Sequence, residues 1–282
     1  MNMKKLFAIL IAGLLACSLI ACSKDDDKLT GDDNNVIGEE MVYGEFTYDV
    51  NGEGTYEITG YTYTGTKPVD VVIPDVITTS DNQTRAVTGI GDDAFKAMKT
   101  VRSVKIPDSI LYIGQFAFYD CDAITSVEIP DSVTEIGVGA FSCCDKLATV
   151  KLPTGLKAIE NSTFKDCIAL TGVTLPEGLE SIGEAAFWGC EAITEITVPT
   201  SVKDMGDAAF YLCKNLKKAT VLGDALGKTE ESEDGDKTEH TIGEIIFKSC
   251  ADDLEVVVTE GTEFAKYAED NKYNVTFNVV AE

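Results

Sequence analysis

Apolar and polar positions repeat every 23 residues between positions 104 and 218. Five consecutive segments of this length align without a gap, and each carries proline at the same place. The aligned prolines are Pro107, Pro130, Pro153, Pro176 and Pro199. The apolar columns, given for the second segment, are Val127, Ile129, Val133, Ile136, Phe141, Cys144 and Leu147. A fixed period of this length predicts a stack of equivalent coils.

Each segment predicts two short extended pieces. Val127 and Ile129 alternate with polar neighbours, as in a half-buried strand, and the next residue, proline, ends the ladder because it has no N–H. The second piece covers 133–136. One segment cannot bury its own apolar side, so a core forms only when like columns stack at a strand spacing of about 4.8 Å. The pattern therefore predicts a repeat solenoid, mainly β, of about seven coils.

The pattern V-x-I-P-x-x-V-x-x-I-G-x-x-A-F-x-x-C-x-x-L-T-x resembles the leucine-rich repeats of BspA-like bacterial surface proteins, over roughly residues 71–258. The resemblance implies a leucine-rich repeat surface lipoprotein of the Bacteroidetes type. Its family includes adhesins for host matrix proteins and for other cells. One copy departs from the pattern, because Glu160 replaces the glycine and Thr163 the alanine. We expect a local distortion of that coil.

Two insertions interrupt the array, which we place at 71–258. They lie near 78–88 and near 226–241, between the same two columns of the repeat. We therefore expect both to leave the solenoid on the same side. Insertions on one face of a repeat array often form its binding face.

Each end of the array needs a cap, because a solenoid otherwise exposes the apolar edge of its last coil. Residues 41–70 predict an N-terminal hairpin that turns at Asn51 and Gly52. Residues 259–282 predict a C-terminal cap made of a helix over 262–271 and a final strand.

The N-terminal segment 1–21 has the composition of an export signal. Lys4 and Lys5 precede an apolar run that contains no acid. The residues that end in Cys22 resemble a bacterial lipobox, which implies that Cys22 is lipidated and becomes the first mature residue. Lipidation at Cys17, an ordinary cleaved signal and a membrane-spanning helix are the alternatives. The run is, however, shorter than the roughly 20 apolar residues that a span needs.

Residues 22–40 predict an acidic, flexible tether, since the stretch contains almost nothing to bury. Asp25, Asp26 and Asp27 resemble the acidic signal that sends Bacteroidetes lipoproteins to the outer face of the outer membrane. The alternative is that they are simply solvated. We expect an exported outer-membrane lipoprotein that is exposed on the cell surface and held to the membrane by its lipid.

The whole chain carries 23 basic and 48 acidic residues, a net charge of −25. Removal of 1–21 takes away two lysines and no acid, which leaves 21 basic against 48 acidic residues, or −27. This charge excludes nucleic acid and anionic lipid surfaces as partners. The acidic surface either keeps the protein soluble or attracts basic patches and cations.

Six of the nine cysteines occupy one repeat column: Cys121, Cys144, Cys167, Cys190, Cys213 and Cys250. Cysteine in such a column acts as a small buried hydrophobe, and parallel side chains on stacked coils are poorly placed for disulfides. We therefore expect free, buried thiols. Cys143 lies outside the column and is the expected accessible thiol.

No arrangement of residues predicts a catalytic or cofactor site. His240, the single histidine, lies in the acidic insertion and is expected to be solvated. Asp234 and Asp236 leave calcium as an open alternative, although the twelve-residue loop with its terminal glutamate is absent. Carboxylates are too numerous in this chain to mark a glycosidase site.

Three functions remain: recognition or adhesion at the surface, a structural or assembly role in the envelope, and, least favoured, an enzyme. Recognition of a protein or glycan, such as a host matrix protein, is favoured because a rigid array with lateral loops presents area. The candidate binding residues after the phenylalanine column are Tyr119, Trp188 and Tyr211. The candidates on the strands are Lys105, Glu128, Lys151, Thr174 and Thr197. Alternatively, Trp188 and Tyr211 only shield the core.

Overall fold

The structure is a computed structural model that describes residues 41–80, 82–223, 226–227, 229–231 and 237–277. The expectations for the signal segment, for Cys22 and for the acidic tether lie outside these residues. Within the described part of the chain, no helix has the length and apolar character needed to cross a membrane.

The described residues form 21 strands and one helix. The N-terminal strands are β1 (Met41–Tyr43), β2 (Phe46–Val50), β3 (Tyr56–Tyr61), β4 (Val69–Val72), β5 (Val76–Thr78) and β6 (Thr84–Ile90). The regular array adds β7 (Val101–Lys105), β8 (Tyr112–Ile113), β9 (Ser126–Glu128), β10 (Glu135–Ile136), β11 (Thr149–Lys151), β12 (Ala158–Ile159), β13 (Gly172–Val173), β14 (Ser181–Ile182), β15 (Glu195–Val198) and β16 (Asp204–Met205). The C-terminal elements are β17 (Lys218–Val221), β18 (Thr229–Glu231), β19 (Lys237–Glu239), β20 (Glu255–Val258), α1 (Glu263–Asp270) and β21 (Asn274–Phe277).

Parallel pairing joins neighbouring coils in two ladders. The first ladder contains the strands that precede the proline column, in the groups β4–β7, β9–β11–β13 and β15–β17–β20–β21. The second contains the strands after the proline, in the groups β6–β8–β10 and β12–β14–β16, with a bridge from Met205 to Ile242. Seven coils contribute to this second ladder, and its register pairs residues of one repeat column, such as Ile113 with Ile136. The predicted solenoid is confirmed.

The second extended piece of each coil is shorter than predicted. β10 covers only Glu135–Ile136 instead of 133–136. The reason is local, because the amide of Val133 donates to the carbonyl of Pro130 at 3.0 Å and so belongs to the turn.

The third side of each coil is a turn that carries the phenylalanine. Each turn contains two residues with a left-handed backbone, such as Gly139 (φ 63°) and Cys143 (φ 60°). Three alternate amides of the turn donate to three carbonyls of the next coil; from the third coil to the fourth, the donors are Gly139, Phe141 and Cys143 and the acceptors are Asn161, Thr163 and Lys165. The same three bonds recur at all six junctions between described turns, at 2.6–3.1 Å. We name this series the turn ladder.

Phenylalanine rings stack beneath the turn ladder. The stacked residues are Phe95, Phe118, Phe141, Phe164, Phe187, Phe210 and Phe247. Their sequential ring centroids lie 4.9–5.8 Å apart with nearly parallel planes, and all seven side chains are buried. The predicted phenylalanine column is therefore the continuous centre of the core.

The cysteine column does more than fill space. Each thiol donates to the phenylalanine carbonyl of the preceding coil, as Cys144 Sγ does to the Phe118 oxygen at 3.1 Å. Burial raises the pKa of the Cys121 thiol to about 12, which keeps it protonated as the donor. Five column thiols are buried as predicted, whereas Cys250, like Cys143, is half-buried.

The N-terminal cap is a hairpin, but its turn is longer than predicted. β2 and β3 are antiparallel and are joined by a five-residue loop, because Asn51 Oδ1 accepts the amides of Glu53 and Thr55, both at 3.1 Å. The predicted hairpin at Asn51 and Gly52 is confirmed, and its loop extends to Thr55. β3 pairs in parallel with β6, so the cap extends the second ladder.

The C-terminal cap has the predicted helix and strand. Thr262 caps α1, since its hydroxyl accepts the amide of Ala265 at 3.1 Å. Phe264 of the helix packs edge-on against Phe247 at the end of the ring stack, with centroids 6.3 Å apart. β21 then pairs in parallel with β20 and ends the first ladder.

The two insertions form antiparallel hairpins, one from β5 and the start of β6 and one from β18 and β19. Both occupy the same interval of the repeat, as predicted.

The glycine column explains the one interruption of the second ladder among the described strands. A Cβ on Gly183 would lie 2.5 Å from the amide nitrogen of Asn161, so this column packs too closely for a side chain. Glu160 stands where the column requires glycine, and β10 and β12, on either side of that junction, are not hydrogen-bonded. The expected distortion is confirmed.

Candidate recognition surface

The outward side of the first ladder, which we name the strand face, carries the predicted row of polar residues. Lys105, Glu128, Lys151, Thr174 and Thr197 are all exposed. Val72 continues the row at its N-terminal end, where it pairs with Lys105 and is 61% exposed. The structure therefore places the five predicted residues in one line along one face.

A groove of about 700 Å³ opens on this face where β7 and β9 fail to pair. Its lining includes Asp70, Lys105, Asp108, Glu128, Asp131 and Lys151. We name it the N-terminal groove. Its volume lies within the range of small-molecule sites, about 300–1,000 Å³.

Three of the six charged side chains in the N-terminal groove, Asp70, Glu128 and Lys151, are already in ion pairs. Arg102 binds both oxygens of Asp70, and this contact, with Ser103, lowers the pKa of that carboxyl to about 2. Lys151 pairs with Glu128. Lys105 has no ion pair with any described residue, so its ammonium group is available to a ligand.

A second groove, of about 350 Å³, lies where β13 and β15 fail to pair. Its lining includes Thr171, Gly172, Thr174, Glu177, Thr194 and Thr197. Gly172 explains the interruption, because glycine weakens a strand and β13 is only two residues long. We name this the threonine groove, since hydroxyl groups dominate its polar lining.

The predicted aromatic row divides into two clusters. Trp188 and Tyr211 are half-buried and in contact, with ring centroids 4.4 Å apart and planes tilted by 51°. Lys165 lies one coil before Trp188, and its Nζ is 5.3 Å from the Trp188 ring centroid. Lys165, Trp188 and Tyr211 therefore form a row over three consecutive coils. Lys165 shares their column, so the repeat alignment contained the signal for this cation–aromatic contact. Tyr119 lies apart from the pair and contacts Lys96 instead.

His240 is not solvated, and that prediction is wrong. Only 9% of its side chain is exposed, and its Nδ1 lies 2.8 Å from Asp204 Oδ2. The other oxygen of Asp204 accepts the Thr241 amide at 2.8 Å, so one carboxylate fixes the point where the second insertion rejoins the array. Histidine in this position is a structural residue.

Metal ligands do not gather anywhere in the described part of the chain. No group of three or more His, Cys, Asp or Glu side chains there is arranged to hold a metal ion. Asp234 and Asp236, the alternative calcium ligands, lie outside the described residues.

Comparison with known proteins agrees with this geometry. Residues 86–220 match the family model described as "BspA type Leucine rich repeat region", in six copies. The chain carries a BspA-type leucine-rich repeat region. A "leucine rich cell surface protein" from Faecalibacterium prausnitzii A2-165 is 27% identical, with a TM-score of 0.53. The match covers 78% of this chain and 70% of that one, which supports the same solenoid fold.

Two further leucine-rich repeat proteins of known structure match less closely. The protein from T. pallidum is 21% identical over 86% of this chain and 100% of its own, with a TM-score of 0.46. The protein from Bacteroides ovatus ATCC 8483 is 24% identical over 84% of this chain and 75% of its own, with a TM-score of 0.37. No curated protein matches the chain.

Proposed function

We propose that this BspA-type repeat protein is a non-catalytic recognition protein that binds a protein or glycan through its strand face. The observation that carries the proposal is that the exposed polar row of the strand face lies beside concave sites. The predicted row of polar residues lines both the N-terminal groove and the threonine groove. Exposed, rigidly spaced side chains beside concave sites suit recognition, and a repeat array holds them in fixed positions.

The proposal is tested by reversing charge on the strand face. Lys105→Glu with Lys151→Glu in the mature chain should reduce capture of a partner from host mucosal extract, because both lysines line the N-terminal groove. Lys146→Glu with Lys266→Glu is the matched control, since both are exposed lysines outside this groove. Equal capture by both double variants contradicts a site on this face. Capture only from bacterial envelope extract favours the structural or assembly role instead.

A second candidate contact is the aromatic pair, favoured by the half-exposed stack of Lys165, Trp188 and Tyr211. Trp188→Ala with Tyr211→Ala should abolish capture while the free energy of unfolding stays within about 1 kcal/mol of the parent. Loss of folding together with capture would show that the pair only shields the core. Unchanged capture leaves the strand face as the site.

We also propose that the protein is exported and lipidated at Cys22 on the outer membrane, facing outwards. The basic and apolar signal segment supports export, as does the description of the F. prausnitzii protein as a cell surface protein. Cys22→Ala should remove acyl labelling and membrane association, whereas Cys17→Ala should keep both. Persistence of both in the Cys22 variant contradicts the proposal.

Surface exposure has a separate test. Protease added to intact cells should digest the parent protein, and its protection would place it on the periplasmic side.

A further inference from the structure

The turn ladder has a free end at the last coil. At each of the six junctions the two outer donors of the turn reach carbonyl oxygens of the next coil, at 2.6–3.1 Å. The equivalent donors of the seventh turn are the amides of Ile245 and Ser249, and both residues keep the left-handed backbone, with φ of 49° and 61°. Among the described residues, the C-terminal cap follows this turn in place of a further coil that could accept these two hydrogen bonds.

The C-terminal cap covers the middle of this free end. The hydroxyl of Tyr267 accepts the amide of Ile246 at 3.0 Å, and Tyr273 lies against the ring and the amide of Phe247. The amides of Ile245 and Ser249 have no acceptor among the described residues. Ile245 is also 38% exposed, so this edge is open to solvent.

A groove of about 670 Å³ lies against the same edge, and we name it the C-terminal groove. Its lining includes Ile245, Lys248, Ser249, Asp252, Asn271 and Lys272. Lys248 and Lys272 are exposed and make no ion pair with any described residue. Asp252 is the single carboxylate that lines the groove, so the two ammonium groups give it a positive balance within a chain of net charge −25.

We propose that the C-terminal groove binds oxyanions, phosphate or carboxylate groups, at the free amides of Ile245 and Ser249, with the ammonium groups of Lys248 and Lys272 beside them. The repeat itself shows what these amides bind, because their equivalents in every earlier coil hold an oxygen atom. A buried or half-buried backbone N–H without an acceptor favours a ligand that supplies one. Charged donors on either side strengthen such hydrogen bonds.

The test follows backbone amide signals of the mature chain by NMR during titration with sodium phosphate or sodium acetate at constant ionic strength. The signals of Ile245 and Ser249 should shift and saturate. Those of Ala208 and Leu212, the equivalent donors one coil earlier, should stay in place because their carbonyl acceptors remain bonded. Saturation by phosphate alone assigns the site to phosphate groups, and saturation by acetate alone assigns it to carboxylates.

Two variants separate this site from general attraction to lysine. Lys248→Gln with Lys272→Gln should weaken the binding about tenfold or more, since each lost contact is a charged hydrogen bond. Lys67→Gln with Lys146→Gln removes the same charge at exposed positions outside the grooves and should leave binding unchanged. The proposal is overturned if neither anion gives a saturable shift, or if both double variants weaken binding equally.

Discussion

The turn ladder and the first ladder run along the same seven coils, yet they differ in continuity. The turn ladder keeps three hydrogen bonds at every described junction, whereas the first ladder is interrupted between β7 and β9 and again between β13 and β15. The turn ladder lies over the buried phenylalanine stack, and the first ladder faces solvent on its outer side. The buried side therefore holds the array together, and the exposed side can open into grooves.

The turn ladder is maintained although its backbone is strained. Of the fourteen left-handed positions in the seven turns, only Gly139 and Gly189 are glycine. A left-handed conformation at any other residue costs on the order of 1 kcal/mol or more. Three hydrogen bonds and one buried aromatic ring in each coil offset that cost. This explains why the turn ladder is not interrupted at any described junction.

The largest expected effect breaks the buried side. Phe164→Ala should lower the free energy of unfolding by about 3 to 5 kcal/mol, because it leaves a cavity between rings 5.8 and 5.5 Å away. Chemical denaturation measures the loss, and hydrogen exchange should quicken most in the neighbouring turns. Phe277→Ala is the control, since that ring is 40% exposed on β21. An equal loss at both positions would remove the distinction between the two sides.

A smaller effect is expected from the glycine column that spaces the coils. Gly183→Ala should cost about 1 to 3 kcal/mol, because its Cβ would stand 2.5 Å from the Asn161 amide nitrogen. Gly178→Ala is the matched control, since the nearest atom to its Cβ is the flexible end of Lys157 at 3.7 Å. If chemical denaturation gives the two variants the same free energy of unfolding, close packing between coils is not the reason that this column carries glycine.

The exposed side should respond in the opposite direction when its pairing is restored. Gly172→Thr should raise the free energy of unfolding by about 0.5 to 1 kcal/mol and pair β13 with β15. Its Cβ meets no atom within 4 Å. Gly155→Thr shares the open surroundings but lies in a turn, so it should gain no pairing. A crystal structure of the Gly172 variant that still shows an open threonine groove contradicts this explanation.

The smallest effect is expected at the ion pair on the strand face. Lys151→Gln should leave the thermal midpoint unchanged, because the pair with Glu128 is exposed and such pairs contribute little. The same variant should alter binding in the N-terminal groove, which Lys151 lines. A clear loss of stability would show that the exposed side, too, holds the array together.

The sequence by itself determined the solenoid, its period and its core. Apolar columns 23 residues apart can be buried only when successive coils stack on one another. The phenylalanine column and most of the cysteine column are buried in this way. The glycine column also identified Glu160 as the position where the second ladder is interrupted, between β10 and β12. These features depend on spacing alone, and spacing is visible in a sequence.

Only the tertiary structure decided the features that depend on neighbours in other coils. The left-handed turns were hidden because twelve of their fourteen positions carry side chains instead of glycine. His240 is buried by Asp204, which precedes it by 36 residues, and Asn51 lengthens its turn by accepting two amides. The N-terminal and threonine grooves arise where strands of adjacent coils fail to pair. The amides of Ile245 and Ser249 are free because the described C-terminal cap packs against the last turn without supplying acceptors for them. Each is a relation between coils, and the repeat pattern describes one coil at a time.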